Sequence, residues 1–483
     1  MYTLIYRKQL GWFYAIVAIY LVVNAICIAN EFYWIFALPL VLFVLLTFIF
    51  AYDKVFFFIT LMTPLSFTLK DSQLGLGLSL PTEPLMAGLL LLFVIKILYE
   101  NRYDISITRH PVSIAIILGL VWMLISSLTS CLPIVSIKFL ISRLWFVVPF
   151  YFIAVQIFEK ERNLRTYFWL YIIGLVIVVI YTTYQHSQFA FDEKIGHWIM
   201  SPFYNDHTAY GAAIAIMLPV TIGFVFLKSY SNTRRFWAFL ASAVLLVAFY
   251  LSYCRAAWLS LTIGLIVLII IKMKIKIQWI LLSLVVFTSI FFLMRTQIIM
   301  QMERNKQDSS KDLVKHLQSI SNISSDASNL ERLNRWNSAL KMFYQKPITG
   351  WGPGTYQFVY GPFQSSKDKT IISTDFGIKG NAHSEYIGPL SEQGLPGLLF
   401  VLGVLGTVIY TVLTILKRKL NPQTRQIVFI LMVGLISYYV HGFMNNFLDS
   451  DKLSVPFWGF IAALVAIDLK LRKEEKQNRF IQP

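Results

Sequence analysis

The chain has 483 residues, 57% hydrophobic and 14% charged, with a mean hydropathy of +0.63; soluble domains run at about 45 to 50% apolar and 25% charged. That composition excludes a soluble globular enzyme and points to an all-α, polytopic membrane protein. The net charge of +17 does not argue for nucleic acid, because the basic residues form no stripe between aromatics and recur in small groups between apolar runs.

Taken in chain order, Arg7 and Lys8 precede a first apolar run with no small-residue cleavage site after it, which reads as an uncleaved helix. Runs of spanning length follow at 10–29, 32–51, 82–99, 111–130, 137–157, 165–184, 207–227, 235–252, 256–272, 277–294, 391–416, 425–446 and 454–470. A shorter run, 54–68, ends at Pro64-Leu65-Ser66. The total is about 12 to 14 transmembrane helices, depending on whether short segments are re-entrant. The chain divides into N-terminal helices (1–295), a large polar interval (296–390), C-terminal helices (391–471) and a basic tail (472–483).

With the amino terminus inside, alternate loops carry Lys54; Arg102 and Arg109; Lys160, Arg162 and Arg165; Lys228, Arg234 and Arg235; Lys272, Lys274 and Lys276; and Lys417, Arg418, Lys419 and Arg425. The tail adds Arg472, Lys473, Lys476 and Arg479 on the same side. The positive-inside rule therefore puts both termini in the cytoplasm and the 296–390 interval outside, in a periplasm or its equivalent. Within that interval Leu333, Trp336, Leu340 and Phe343 are spaced as on a helix over 330–344, Pro347 stops it, and Gly350-Trp351-Gly352-Pro353-Gly354 makes a turn. No internal repeat of the kind found in many transporters is visible.

Three groups of residues can carry chemistry. Arg255 lies between two apolar runs at the outer face with no evident carboxylate beside it; a ligand anion would explain it, as would snorkelling to headgroups. Arg332, Arg335 and Trp336 share a helix side, offering two forked donors for phosphate beside an aromatic, although Glu331 and Arg335 also fit a solvated i, i+4 pair. His383 stands before the next membrane entry, with Glu385 or Glu392 as a carboxylate able to orient it for work on an attacking hydroxyl; a surface histidine is the plainer reading. Lys138 and Arg143 lie within an apolar run near its outer half, and His207 and the Asn445, Asn446, Asp449, Asp451 cluster lie at other outer helix ends. Cys27, Cys131 and Cys254 lack disulfide or zinc spacing. Phosphate-loop, His-Glu-x-x-His and Gly-x-Ser-x-Gly motifs are missing, and the first outer loop is too short for a paired-acid metal site, so no metal or cofactor is expected.

The ordered set Ser201 to His207, Ser252 to Trp258, Glu331 to Trp336, Lys346 to Gly354 and Asn381-Ala382-His383 through Gly397 resembles the O-antigen ligase and polymerase family over residues 200–460. The resemblance implies a GT-C type, metal-independent, inverting glycosyltransferase of the bacterial inner membrane. It implies a donor glycan on undecaprenyl diphosphate, with lipid A core sugar as the ligase acceptor. By position, Arg255 and Arg332 look like the family's essential arginines, holding the diphosphate, and His383 like its essential histidine, orienting or deprotonating the acceptor hydroxyl. The family's His-Asn pair reads His383-Ser384 here. A polymerase or a protein O-oligosaccharyltransferase is the alternative within the family, and a lipid or ion transporter the alternative outside it.

Overall fold

The computed structural model describes residues 2–33, 39, 46–70, 77–100, 103–276, 278–279, 327–364 and 380–481. It divides into two units, Met1–Phe56 and Phe57–Pro483. In the first, α1 (Tyr2–Ala29) carries no charged residue after Lys8. The division falls within α2 (Tyr52–Met62).

In the second unit the expected helices are α3 (Thr82–Glu100), α5 (Pro111–Leu128), α6 (Pro133–Ile157), α7 (Glu161–Ser187), α9 (His207–Val225), α10 (Asn232–Leu251), α11 (Arg255–Lys272), α14 (Ile387–Lys417), α15 (Pro422–His441) and α16 (Asp451–Ile481). Between them lie the short helices α4 (Ile105–Thr108), α8 (Glu193–Gly196) and α13 (Tyr356–Val359), and the amphipathic α12 (Ala327–Gln345). Among the described residues ten helices are long and apolar enough to cross a membrane, so the chain is an all-α, multi-pass membrane protein. The runs expected at 32–51 and 277–294, and 296–326 and 365–379 of the polar interval, fall wholly or largely outside the described residues.

The short run at 54–68 stops at Met62, and the chain enters a two-stranded antiparallel hairpin, β1 (Phe67–Lys70) with β2 (Gly77–Leu80), that the sequence reading did not expect. Buried polar bonds hold its base. Lys452 Nζ donates to the carbonyls of Thr63 and Ser66, while Asp451 Oδ2 accepts from the hydroxyls of Ser66 and Thr82. Asp451, grouped with the outer candidates by sequence, is thus part of the scaffold.

Packing ties the site's helices together: α11 lies on α15, α9 on α10 and α15, and α5 and α12 on α14. The α14 helix breaks at Gly394, whose φ of +70° suits glycine and where a Cβ would stand 2.1 Å from the Ile348 carbonyl oxygen. There the 347–354 turn docks, with Gly352 N donating to Glu392 O (2.7 Å) and Leu395 N to Pro347 O (2.8 Å). The expected helix over 330–344 is present, and its buried face is largely polar. Leu333 and Leu340 are exposed, whereas Glu331, Asn334, Arg335, Ser338, Ala339 and Met342 are buried. A polar face can be buried here because its groups find partners, Asn334 on Gln364 and Arg335 on Glu331.

Candidate active site

The segment Asn381–Tyr386 forms one wall of a cavity, lined by Asn381, Ala382, Ser384, Glu385 and Tyr386, while the His383 side chain turns to Arg335. His383 sits in that segment with a φ of +47°, a left-handed conformation uncommon outside glycine. Local bonds fix the turn: His383 N donates to Asn381 Oδ1, Ser384 Oγ accepts from Tyr386 N and Ile387 N, and Glu385 N donates to Gly442 O. Ser384 is therefore a backbone cap at the entry of α14.

The side chain on His383 is Arg335. Its Nε donates to Glu331 Oε1 (2.8 Å), and its Nη1 donates to Asn381 O (3.1 Å) and to His383 Nε2 (3.0 Å). A guanidinium has no acceptor, so Nε2 receives the bond and the ring's proton is on Nδ1. Burial, then the charges of Arg335 and Arg332, hold the His383 pKa down to about 3. The ring is neutral throughout the physiological range and presents an N–H donor at Nδ1.

The cationic groups converge near His383. Arg332 is half-buried, and its charge acts on His383, His441, His207 and Cys254. Arg255 opens α11 after Cys254, two residues beyond Tyr253 at φ +48°, and also acts on His207. A cation at a helix N-terminus opposes the helix dipole. The carboxylate that sequence did not locate for it is Glu193 on α8, at the loose distance of 4.0 Å, with the Arg255 side chain 31% exposed. His207 opens α9 after its cap Asp206, and its ring stacks on His197 with centroids 4.1 Å apart. Two arginines offer forked donors to an anion here, beside the carboxylates of Asp206, which accepts from Thr208 N and Ala209 N at the start of α9, and of Glu193.

The cavity, of about 810 Å³, lies between α5, α6, α14, α15 and the start of α16. Lys138, Arg143, Glu385 and Asp449 line it. Arg143 donates to Leu448 O (3.0 Å) and Asp449 Oδ1 (2.9 Å). Glu385 Oε1 accepts from Tyr438 Oη, Phe447 N and Leu448 N. Burial, then the neighbouring Asp449, push the Glu385 carboxyl above the ordinary carboxylate range.

The structure thus brings Arg255, Arg332, His207 and His383 to one locality, and Lys138, Arg143 and Glu385 to the neighbouring cavity. It changes three expectations. Neither Glu385 nor Glu392 is bonded to His383, since Glu392 Oε1 accepts from Tyr356 N (2.9 Å) and Glu385 is engaged as above. Arg335 is committed to Glu331 and His383 instead of being open to ligand. Trp336 packs edge-on against Phe443, with ring centroids 5.4 Å apart. Sequence reasoning missed Asn381, Asp206 and His197. The Asn-x-His spacing of an Asx turn is the one local signal that would have found the first. Among the described residues no group of three or more His, Cys, Asp or Glu is placed to hold a metal ion.

Compared with known proteins, residues 240–402 match the family model Wzy_C, O-antigen ligase. That stretch holds Arg255, Arg332, Arg335 and His383. No curated protein matches the chain.

Proposed function

We propose, from the match of residues 240–402 to the O-antigen ligase family model, that the chain transfers a glycan from undecaprenyl diphosphate to a hydroxyl of a lipid A core sugar. The reaction takes place at the periplasmic face of the inner membrane. Both termini are cytoplasmic, an orientation supported by the basic residues that alternate loops share. The acceptor oxygen bonds to the anomeric carbon as the carbon–oxygen bond to diphosphate breaks, with inversion, and the hydroxyl proton passes to the departing diphosphate.

The observation that carries this reading is the convergence of Arg255 and Arg332 on His207, beside the His383 wall. Two fixed cations where a diphosphate leaves stabilise its developing charge, an effect of about 3 kcal/mol for a single well-placed donor. His383 is better suited to orient than to deprotonate, because Arg335 occupies Nε2 and the exposed chemistry of the ring is its Nδ1–H. Arg335 and Glu331 act through His383 as positioning residues.

A deletion strain tests the acceptor. Loss of a ligase leaves long glycan on the lipid carrier and bare core. Single repeats attached to core would instead identify a polymerase, and unchanged glycan with an unglycosylated protein would identify a protein O-oligosaccharyltransferase.

A further inference from the structure

His383 holds a left-handed backbone conformation, which a residue other than glycine keeps only where its surroundings fix it from both sides. Upstream this is done by Asn381, whose Oδ1 accepts from His383 N and whose carbonyl accepts from Arg335. Downstream, Ser384 Oγ bonds within its own turn, and the hydrogen bonds that reach another element come from Glu385 and Tyr386. Tyr386 Oη donates to Tyr439 O (2.9 Å). Glu385 makes four such bonds: its N donates to Gly442 O (2.8 Å), and its Oε1 accepts from Tyr438 Oη (2.8 Å) and from Phe447 N and Leu448 N (both 2.9 Å). Two successive N–H groups aimed at one oxygen form a small anion-binding nest, which suits a carboxylate. The two segments touch, since a Cβ on Gly442 would stand 3.1 Å from Glu385 Cγ.

The connection gripped in this way, residues 442–450 between α15 and α16, closes a circuit. Its Phe443 packs edge-on against Trp336 of α12 (ring centroids 5.4 Å apart) and lies against Tyr386 (6.2 Å). The same α12 carries Arg332 and Arg335, and Arg335 returns to His383. Arg143 steadies the far end of the connection through Leu448 O and Asp449 Oδ1. Glu385 is the junction of this circuit, although none of its hydrogen bonds goes to the His383 ring, Arg255 or Arg332. We infer that Glu385 is a positioning residue for glycan transfer, acting through the 442–450 connection to hold the His383 ring and the arginines of α12 in one arrangement. The direct carboxylate–histidine partnership expected from sequence is replaced by one that works at a remove. The inference rests on the transferase reading above.

Two readouts test it, one of them independent of turnover. Full-length protein with isotope-labelled histidine is placed in nanodiscs and its imidazole nitrogens are followed by NMR, the His383 signals being those lost in His383→Gln. The wild-type ring is expected as the Nδ1–H tautomer, unprotonated above about pH 5. Glu385→Ala should mix the tautomers and move the titration up toward the ordinary 6.5, whereas Glu385→Gln, whose amide oxygen still accepts, keeps the wild-type ring. In transfer assays Glu385→Ala is expected to lower kcat about a hundredfold, the effect of a displacement of about 1 Å, with the donor KM within about twofold of the wild type. Glu385→Gln recovers kcat to within about fivefold. Phe443→Ala, further along the circuit, should add little to the loss in Glu385→Ala. Where the alanine variant does not fold, Glu385→Asp, which keeps the charge and shortens its reach, carries the same predictions. A wild-type His383 spectrum in folded Glu385→Ala, or losses that multiply in the double variant, would overturn the assignment and leave Glu385 a purely structural tie. Mixed tautomers in Glu385→Ala, in a protein whose wild type transfers no glycan, support the positioning of His383 and refute the transferase reading.

Discussion

A histidine that accepts a hydrogen bond from an arginine is held in one tautomer and resists protonation, and both consequences for His383 can be measured. Its folded pKa of about 3 lies below the ordinary value of 6.5, so the unfolded chain binds the extra proton between those limits. The stability contributed by the neutral ring is complete above pH 6.5 and is lost as pH falls toward 3. Between pH 6.5 and 5 the loss is about 2 kcal/mol. His383→Gln is therefore expected to unfold thermally with a smaller drop between pH 7 and 5 than the wild type; an equal drop would refute the assignment. Glu331→Gln leaves Arg335 with an uncompensated charge in a buried site, costing about 3 kcal/mol or more, and frees it to swing from His383. Transfer is expected to fall at least tenfold with donor binding retained. Arg255 drew notice in sequence because a charge stands out between apolar runs, whereas Arg332 and His383 were singled out mainly through the resemblance to the family. The Arg335 bond was not legible, because an i, i+4 Glu–Arg pair looks the same whether solvated or buried.

At the scale of elements, the turn 347–354 and the α14 break depend on one another. Gly352 has a φ of +112°, and a Cβ there would fall 1.9 Å from Ser130 Oγ on the turn between α5 and α6. Gly352→Ala is expected to destabilise by about 2 to 4 kcal/mol, through both backbone strain and displacement of Ser130. It should also reduce transfer, since Glu392 and the start of α14 shift with the turn; a melting temperature within about 1 °C of the wild type would contradict this. Proline and glycine spacing announced the turn, and apolar runs announced the helices. The hairpin at 67–80 was hidden because its strands are only four residues each and its base is held by remote side chains, Asp451 and Lys452. The polar buried face of α12 was hidden for a related reason: aromatic periodicity marks a helix, but which side is buried depends on what partners the fold supplies for polar groups.

For the whole molecule, orientation decides whether the account holds, because a diphosphate-linked glycan at the outer leaflet is useful only to a site that faces it. Cys131 is exposed at the end of the bundle that carries the candidate site, whereas Cys254 is buried with its thiol pushed up to about 12. In a Cys27→Ser background, a membrane-impermeant maleimide applied from the periplasmic side should label Cys131 and spare Cys254. Protection of Cys131 until the membrane is dissolved would reverse the topology. The central claim is transfer itself, and reconstitution tests it most directly. Purified protein, undecaprenyl-diphosphate glycan and lipid A core glycolipid are mixed without added nucleotide, and the product is read by mass and linkage. Glycan attached to core, with Arg255→Ala and Arg332→Ala slowed at least a hundredfold, is the predicted result; wild-type rates in both variants would contradict the account.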